Sequence, residues 1–378
     1  MITRSFFSKK ETFLYCLEEI KEQIEIKFKS FDFLIFSIHP SYPVSDINRS
    51  IKKVFKTDNF IVFHAIDSFV DNEILEEGVG VYVIKFERKG KINKFYIDEF
   101  NKINAFKTAK YLNENKDKFH LIFATHKDIE INKFIENISK ELNYTPVNNI
   151  AGGVASGYEI DNELRTMLFM GDKIIKEGII ILSFENVKGE VGISLGHTPY
   201  GITYKITKAK DNKLYLVDEG KSFPYMIKKL LKNIENPDIR YLWYVPIYVL
   251  TDKNSYVSAI RTIKDIKEDF VEFFANIKEG EYFKLSFATF EELLASDERI
   301  ANKLIKKLNN PEFSFNFSCV ARQYILEDHQ KDEINIYTKT FNTHLFGFFT
   351  FGEIAPDIKY KKLMFYNETS IPVIMKEI

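Results

Sequence analysis

Arg322, Glu353, Asn367 and Thr369 sit in three short polar interruptions of otherwise apolar segments: Ser318-Cys319-Val320-Ala321-Arg322, Gly352-Glu353-Ile354 and Asn367-Glu368-Thr369. Each falls where a strand would hand over to a loop, the usual place for a binding site on a rigid sheet. A guanidinium just past a strand can grip a carboxylate through two parallel hydrogen bonds. Glu353, at another strand end, can take an amino group or hold Arg322 in place. Together the two would suit a zwitterion such as an amino acid. A structural ion pair between them is the competing expectation. Asn367 and Thr369 carry short polar side chains that either fix a ligand's orientation or close turns by bonding to nearby backbone.

Other reactive residue types point less far. Cys319 is expected to be a small buried hydrophobe, since no histidine adjoins it in sequence. No Ser-His-Asp or Cys-His pattern appears with a familiar local context, so the expectation is a binding protein and not an enzyme. Gly152, Gly153 and Gly157 do not have dinucleotide-loop spacing. Close backbone approach in a turn is the plainer reading.

Composition bounds the rest. The 378 residues are 45% hydrophobic and 28% charged, with a formal net charge of -1. That describes a soluble globular chain of one large or two ordinary domains, without the field that recruits nucleic acid or anionic membrane. The 36 Phe and 20 Tyr imply a ring-rich core, or an aromatic-lined pocket. Two cysteines, Cys16 and Cys319, allow no disulfide framework and fit a reducing compartment. The start carries Arg4, Lys9, Lys10 and Glu11 with no signal-type apolar run, and no run reaches spanning length. The expected location is cytoplasmic, with no membrane insertion.

The elements that must position these residues repeat along the chain. Phe33-Leu34-Ile35-Phe36-Ser37-Ile38-His39 matches His120-Leu121-Ile122-Phe123-Ala124-Thr125-His126, 87 residues on. Both are buried-strand patterns. Each precedes a helical stripe: Val44, Ile47, Ile51, Val54 and Phe55 in one copy, Ile131, Phe134, Ile135, Ile138 and Leu142 in the other. A second apolar run follows, Phe60 to Phe63 and then 147–154. Glu77-Gly78 and Glu177-Gly178 each lead into a third. The fold class is therefore α/β: mixed sheets with packed helices, built from duplicated strand-helix-strand-strand units in two associated halves. Further strands are expected over Val191 to Gly196, Gly201 to Ala209, Leu214 to Val217 and Tyr282 to Phe287. Tyr241 to Leu250 reads as an edge or broken strand because of Pro246. Helices are expected after Ser222 and from Phe290 to Leu308. The end of the chain repeats the unit in outline. His39 and His126 occupy matching repeat positions, which raises a metal pair; no carboxylate cluster adjoins them in sequence.

Four separated stretches resemble the FIST family of sensory domains. Gly152-Gly153-Val154-Ala155 is similar to the family's glycine pair at a strand end. Ser194 to Gly201, with Gly196, Pro199 and Gly201, resembles its Ser-His-Gly-Trp-x-Pro-x-Gly segment. Glu219-Gly220-Lys221 resembles the entry into its C-terminal domain, and the Cys-x-x-Arg, Gly-Glu-Ile and Asn-x-Thr set closes the match. Leu195 and His197 stand where the family has His and Trp, and Gly157 stands near its usual acidic residue. The resemblance implies an N-terminal extension over 1–30, expected to be helical, a FIST N-terminal domain over 31–217 and a FIST C-terminal domain over 218–378. It favours strands over Tyr256 to Ile277, with Arg261 on one. It implies a cytoplasmic, bacterial sensory protein that binds a small ligand, an amino acid or similar metabolite. Candidate ligand contacts are Arg322, Glu353, Asn367, Thr369, Gly152, Gly153 and His197. With no room expected for an output module, the partner would be a histidine kinase or chemotaxis-type signalling protein. No cofactor is expected. The alternatives are a haem-based nitric oxide sensor, with His197 as the nearest ligand type, and a ligand-free scaffold.

Overall fold

The architecture, described from a computed structural model, is three copies of one unit with an insert in the third. The described residues are 1–145, 149–160, 162–231, 238–250, 257–357 and 362–378. The first unit runs β1 (Ile2–Ser8), α1 (Phe13–Lys27), β2 (Phe33–Ile38), α2 (Ile47–Phe55), β3 (Phe60–His64), the hairpin β4 (Ser68–Val70) and β5 (Glu73–Leu75), then β6 (Val79–Lys85). The second runs β7 (Lys91–Ile97), α3 (Lys102–Glu114), β8 (Phe119–Ala124), α4 (Glu130–Glu141) and β9 (Ile150–Val154). A small hairpin follows, β10 (Glu159–Ile160) and β11 (Glu163–Leu164), then the hairpin β12 (Leu168–Met170) and β13 (Lys173–Ile175), and β14 (Ile179–Glu185).

The third unit opens with β15 (Val187–Val191). The insert comes next: β16 (Thr198–Lys210), β17 (Lys213–Val217), β18 (Lys221–Ser222), α5 (Phe223–Leu230), a 3-10 turn at Ile239–Tyr244, β19 (Ile247–Leu250), β20 (Val257–Arg261), β21 (Ile263–Ile266), β22 (Val271–Phe273) and β23 (Tyr282–Phe287). The unit resumes with α6 (Phe290–Lys307), β24 (Phe313–Cys319), α7 (Val320–Leu326), α8 (Gln330–Phe341) and β25 (Leu345–Thr350). The hairpin β26 (Glu353–Asp357) and β27 (Lys362–Tyr366) and then β28 (Ser370–Glu377) close it.

Each unit builds a six-stranded sheet whose last two strands come from another unit. The orders are β1-β6-β2-β3-β12-β13, β7-β14-β8-β9-β26-β27 and β15-β28-β24-β25-β4-β5. In every sheet the central pair (β2–β3, β8–β9, β24–β25) is parallel and its neighbours are antiparallel. The exchange is cyclic: unit one lends a hairpin to three, two lends to one, and three lends to two. The two halves of the chain are interlocked by it.

The inner faces of the three sheets meet in one core. Phe63 stacks on Phe123 at 5.2 Å between ring centroids, and Phe348 lies 4.3 Å from Phe63, one ring from each sheet. Burying rings of this size stabilises by roughly 1.5–3 kcal/mol each. The helices cover the outer faces: α1 and α2 on the first sheet, α3 and α4 on the second, α6 and α8 on the third. The insert curls its eight strands around a separate core that includes Ile206, Phe223, Phe273 and Phe283.

Several expectations shift in position. Inward-facing Phe33 corresponds to Phe119 and Phe313, since all three face the common core at the start of their strands. The offset between the first two copies is therefore one residue less than the sequence match gives. A one-residue slip exchanges the faces of a strand, so His39 corresponds to Thr125 and not to His126. The strand expected over Val191 to Gly196 ends at Val191. Pro246 breaks its run: a 3-10 turn precedes it, and β19 behind it is a central strand paired on both sides. The start of the 147–154 run and Tyr256 lie outside the described residues. Arg261 ends β20, as the resemblance favoured. The N-terminal segment is helical over Phe13–Lys27 and begins with β1, the edge strand of the first sheet.

Candidate functional site

The parallel pairs end at equivalent positions. The backbone N–H groups of His39, Thr125 and Cys319 donate to the carbonyls of Gly78, Gly178 and Thr369 at 3.0, 3.0 and 2.9 Å. Asn367-Glu368-Thr369 is thus the third version of Glu76-Glu77-Gly78 and Lys176-Glu177-Gly178. The polar signature is the strand-end crossing of the third unit.

A cavity of about 240 Å³ opens at this crossing. Unit three supplies Cys319, Val320 and Ala321 at the β24–α7 junction, Phe351 after β25 and Asn367 before β28. His126 comes from unit two, and Thr262, Phe274 and Trp243 come from the insert. Rings make most of the wall: His126 meets Phe351 edge-on at 5.5 Å, and Trp243 meets Phe274 at 6.5 Å. Among the described residues, none that lines it is Lys, Arg, Asp or Glu. Three of them carry a buried polar atom with no protein partner: His126 Nδ1, Trp243 Nε1 and Asn367 Oδ1. Such atoms cost free energy unless something bonds to them. Burial holds the His126 pKa below the ordinary histidine value against the opposing pull of Asp128, which favours the neutral ring.

Arg322 lies outside this cavity. Ala321, Arg322, Ile325 and Leu326 form the buried face of α7, so the guanidinium turns inward. Its Nη2 donates to Asp297 Oδ2 at 2.6 Å, and its Nε lies 3.6 Å from Glu333 Oε2. The expected pairing with Glu353 gives way to these two carboxyls on α6 and α8. Tyr337 donates to Asp297 Oδ1 at 2.9 Å, and Asn316 donates to Glu333 Oε1 at 3.3 Å. One guanidinium cannot balance two buried carboxylates. Burial first, and Glu333 in addition, raise the Asp297 pKa above the ordinary carboxyl range.

Glu353 and Thr369 face each other instead. Thr369 donates to Glu353 Oε2 from its backbone N at 3.2 Å and from its hydroxyl at 2.7 Å. The Thr350 hydroxyl lies 2.5 Å from Glu353 Oε1 and 3.2 Å from Ser318 O. It has one proton; when that goes to Ser318 O, the contact with Glu353 needs a proton on the carboxyl. Burial agrees, pushing the Glu353 pKa up to about 8.

Gly152 and Gly153 are close-approach glycines inside β9 and not loop contacts. A Cβ on Gly152 would sit 2.3 Å from the Ile122 carbonyl oxygen, and one on Gly153 2.6 Å from Phe317 Cδ1. Gly153 lets the second sheet approach the third, and Gly152 sits tight against the adjacent strand β8 of its own sheet.

His197 enters the insert at its first strand. Its Nε2 is 2.8 Å from Glu368 Oε2 and its Nδ1 is 2.9 Å from Leu195 O. Glu368 also accepts from the Thr262 hydroxyl at 2.6 Å. Glu368 therefore ties two points of the insert to unit three, beside Asn367. The Nε2 contact is at ion-pair distance without hydrogen-bond geometry, but His197 does not line the cavity, whose volume is below the roughly 300–1,000 Å³ usual for ligand pockets and too small for a macrocycle. These residues do not fit haem.

The first unit's strand end forms a different depression, an open polar cleft of about 860 Å³ whose lining includes Lys10, His39, Tyr42, Asp67, Glu77 and Gln323. His39 and His126 thus belong to separate depressions. Sequence reasoning found Asn367 but missed Trp243, Phe274, Thr262 and His126 as wall residues. The one signal for them was the aromatic content, which does not say which rings gather.

Comparison with known proteins accords with this architecture. The FIST N domain matches residues 32–219 and the FIST C domain residues 220–356. An uncharacterized protein of Aquifex aeolicus (strain VF5) is 34% identical over 257 residues, covering 65% of this chain and 94% of its own length. With its strand-end signature, its insert and both domains in order, the chain belongs to the FIST family.

Proposed function

We propose that this protein is a sensory, small-ligand-binding protein that acts in signal transduction through a partner, and that its ligand occupies the cavity walled by Trp243, Phe351 and Asn367. The observation that carries this reading is the set of three lining residues, each with a buried polar atom that lacks a protein partner, in a cavity walled mostly by rings. A cavity kept that way gains when a ligand enters it. The amino-acid form of the reading joined Arg322 to Glu353; both are engaged elsewhere, and the lining offers no counter-charge for a zwitterion.

The binding reading is favoured over turnover by the wall's nucleophile types. Burial pushes the Cys319 thiol up, away from the reactive thiolate, and the Thr262 hydroxyl is engaged by Glu368. A ligand touching Asn367 and Thr262 meets both ends of the Glu368 tie between insert and scaffold. Occupancy would shift the population of insert positions, and a kinase or chemotaxis-type partner would read that shift. Among the described residues no helix is long and apolar enough to cross a membrane.

Circular-dichroism melts against a panel of small metabolites test the reading. A ligand at ~100 times its dissociation constant should stabilise by about 2.7 kcal/mol, a shift of a few degrees. The shift should vanish in a Trp243→Ala variant that still folds. A shift that survives this change places the ligand elsewhere. A panel with no shift favours the ligand-free scaffold.

A further inference from the structure

We infer that the cavity takes an uncharged planar ring compound carrying a hydrogen-bond donor beside an acceptor; the inference rests on the cavity being the ligand site.

Three features converge on that class. The walls are ring faces and edges, from Trp243, Phe274, Phe351 and His126, which favour a flat partner in stacked or edge-on contact. Among the described residues the lining contains no formally charged side chain, so a carboxylate or ammonium entering it would lose its hydration without compensation. The unpartnered atoms are of complementary kinds: the indole N–H of Trp243 only donates, the amide oxygen of Asn367 only accepts, and His126 Nδ1 takes either role by choice of tautomer. A lactam, with N–H and C=O on one edge, carries both kinds of group that the first two lack. A ring lacking either group leaves one buried atom orphaned.

The full-length protein is titrated by isothermal calorimetry with 2-pyridone (uncharged, donor beside acceptor), indole (uncharged, donor alone), benzoate, benzylamine and phenylalanine. Saturable binding of 2-pyridone is expected, at a dissociation constant at least tenfold below those of the charged probes. Asn367→Leu should weaken 2-pyridone and indole alike by about tenfold, since each donates its ring N–H to the lost acceptor, and should leave benzoate within about twofold. Should that variant fail to fold, Phe351→Leu gives the parallel test, weakening both uncharged probes. If benzoate, benzylamine or phenylalanine binds as tightly as 2-pyridone, the uncharged class is overturned while the cavity stands as the ligand site. If no probe binds saturably, the cavity falls as the ligand site and the inference falls with it.

Discussion

Two depressions open at corresponding strand ends, and they treat their polar groups in opposite ways. In the cleft of unit one the polar groups satisfy each other: His39 Nδ1 lies 2.7 Å from Ser41 Oγ, Tyr42 donates to Lys10 O at 2.8 Å, and Gln323 donates to Asp67 at 2.6 Å. In the cavity between units two and three, His126, Trp243 and Asn367 each leave a buried atom without a partner. The same unit, used twice, has produced one self-satisfied surface and one site that is incomplete alone. The insert makes the difference, because Trp243, Phe274 and Thr262 roof only the second.

Helix α7 stands between the two depressions. Val320 and Ala321 line the cavity, Gln323 lines the cleft, and Arg322 anchors the helix from within. Arg322→Ala should therefore have the largest effect, leaving Asp297 and Glu333 without their cation and costing about 3–5 kcal/mol. Urea denaturation measures it. A cost below about 1 kcal/mol would show that the helix is held some other way.

Each depression also has a buried carboxyl beneath it, Glu353 under the cavity loop and Asp67 in the cleft, and burial raises both pKa values. Burial raises the Glu353 pKa to about 8 in the folded state, whereas the unfolded chain releases the proton in the ordinary carboxyl range near 4.5. The stabilisation is complete below the lower value and is lost as pH rises through the window, by about 1.4 kcal/mol per pH unit. Glu353→Gln mimics the protonated form and should flatten that slope. Asp67→Asn should flatten it less, because Asp67 is less deeply enclosed. Equal effects would erase the contrast between the two sites.

Ligand affinity sharpens the comparison further. Trp243→Ala should weaken binding by about 1.5–3 kcal/mol, the value of one large buried ring, as read by calorimetry. Gln323→Ala, on the cleft side of the same helix, should leave binding within about 0.5 kcal/mol while costing about 1 kcal/mol of stability through its lost bond to Asp67.

The sequence made the repeated units readable because buried strands and helical stripes leave local periodic marks. Phe33 to Ile38 and the Glu-Gly turns before β6 and β14 are of this kind. The exchange of hairpins leaves no such mark: β4–β5 and β12–β13 read alike whichever sheet receives them, and pairing is a long-range choice. The third unit was visible only in outline because the insert separates β15 from α6. Asn367 was legible as a polar break in an apolar run. Arg322 was equally visible, but a guanidinium at a strand end looks the same in sequence whether α7 turns it outward or, as here, into the core. Trp243 and His126 are 117 residues apart, and only the fold brings them to one wall.

The central claim is that the incomplete site, not the complete one, receives the ligand. A crystal structure of the protein with the compound that raises its melting temperature tests this most directly. The account predicts density against Trp243 and Phe351, with a hydrogen bond to Asn367 Oδ1. Density in the cleft beside His39 and Glu77, with the cavity unchanged, would contradict it.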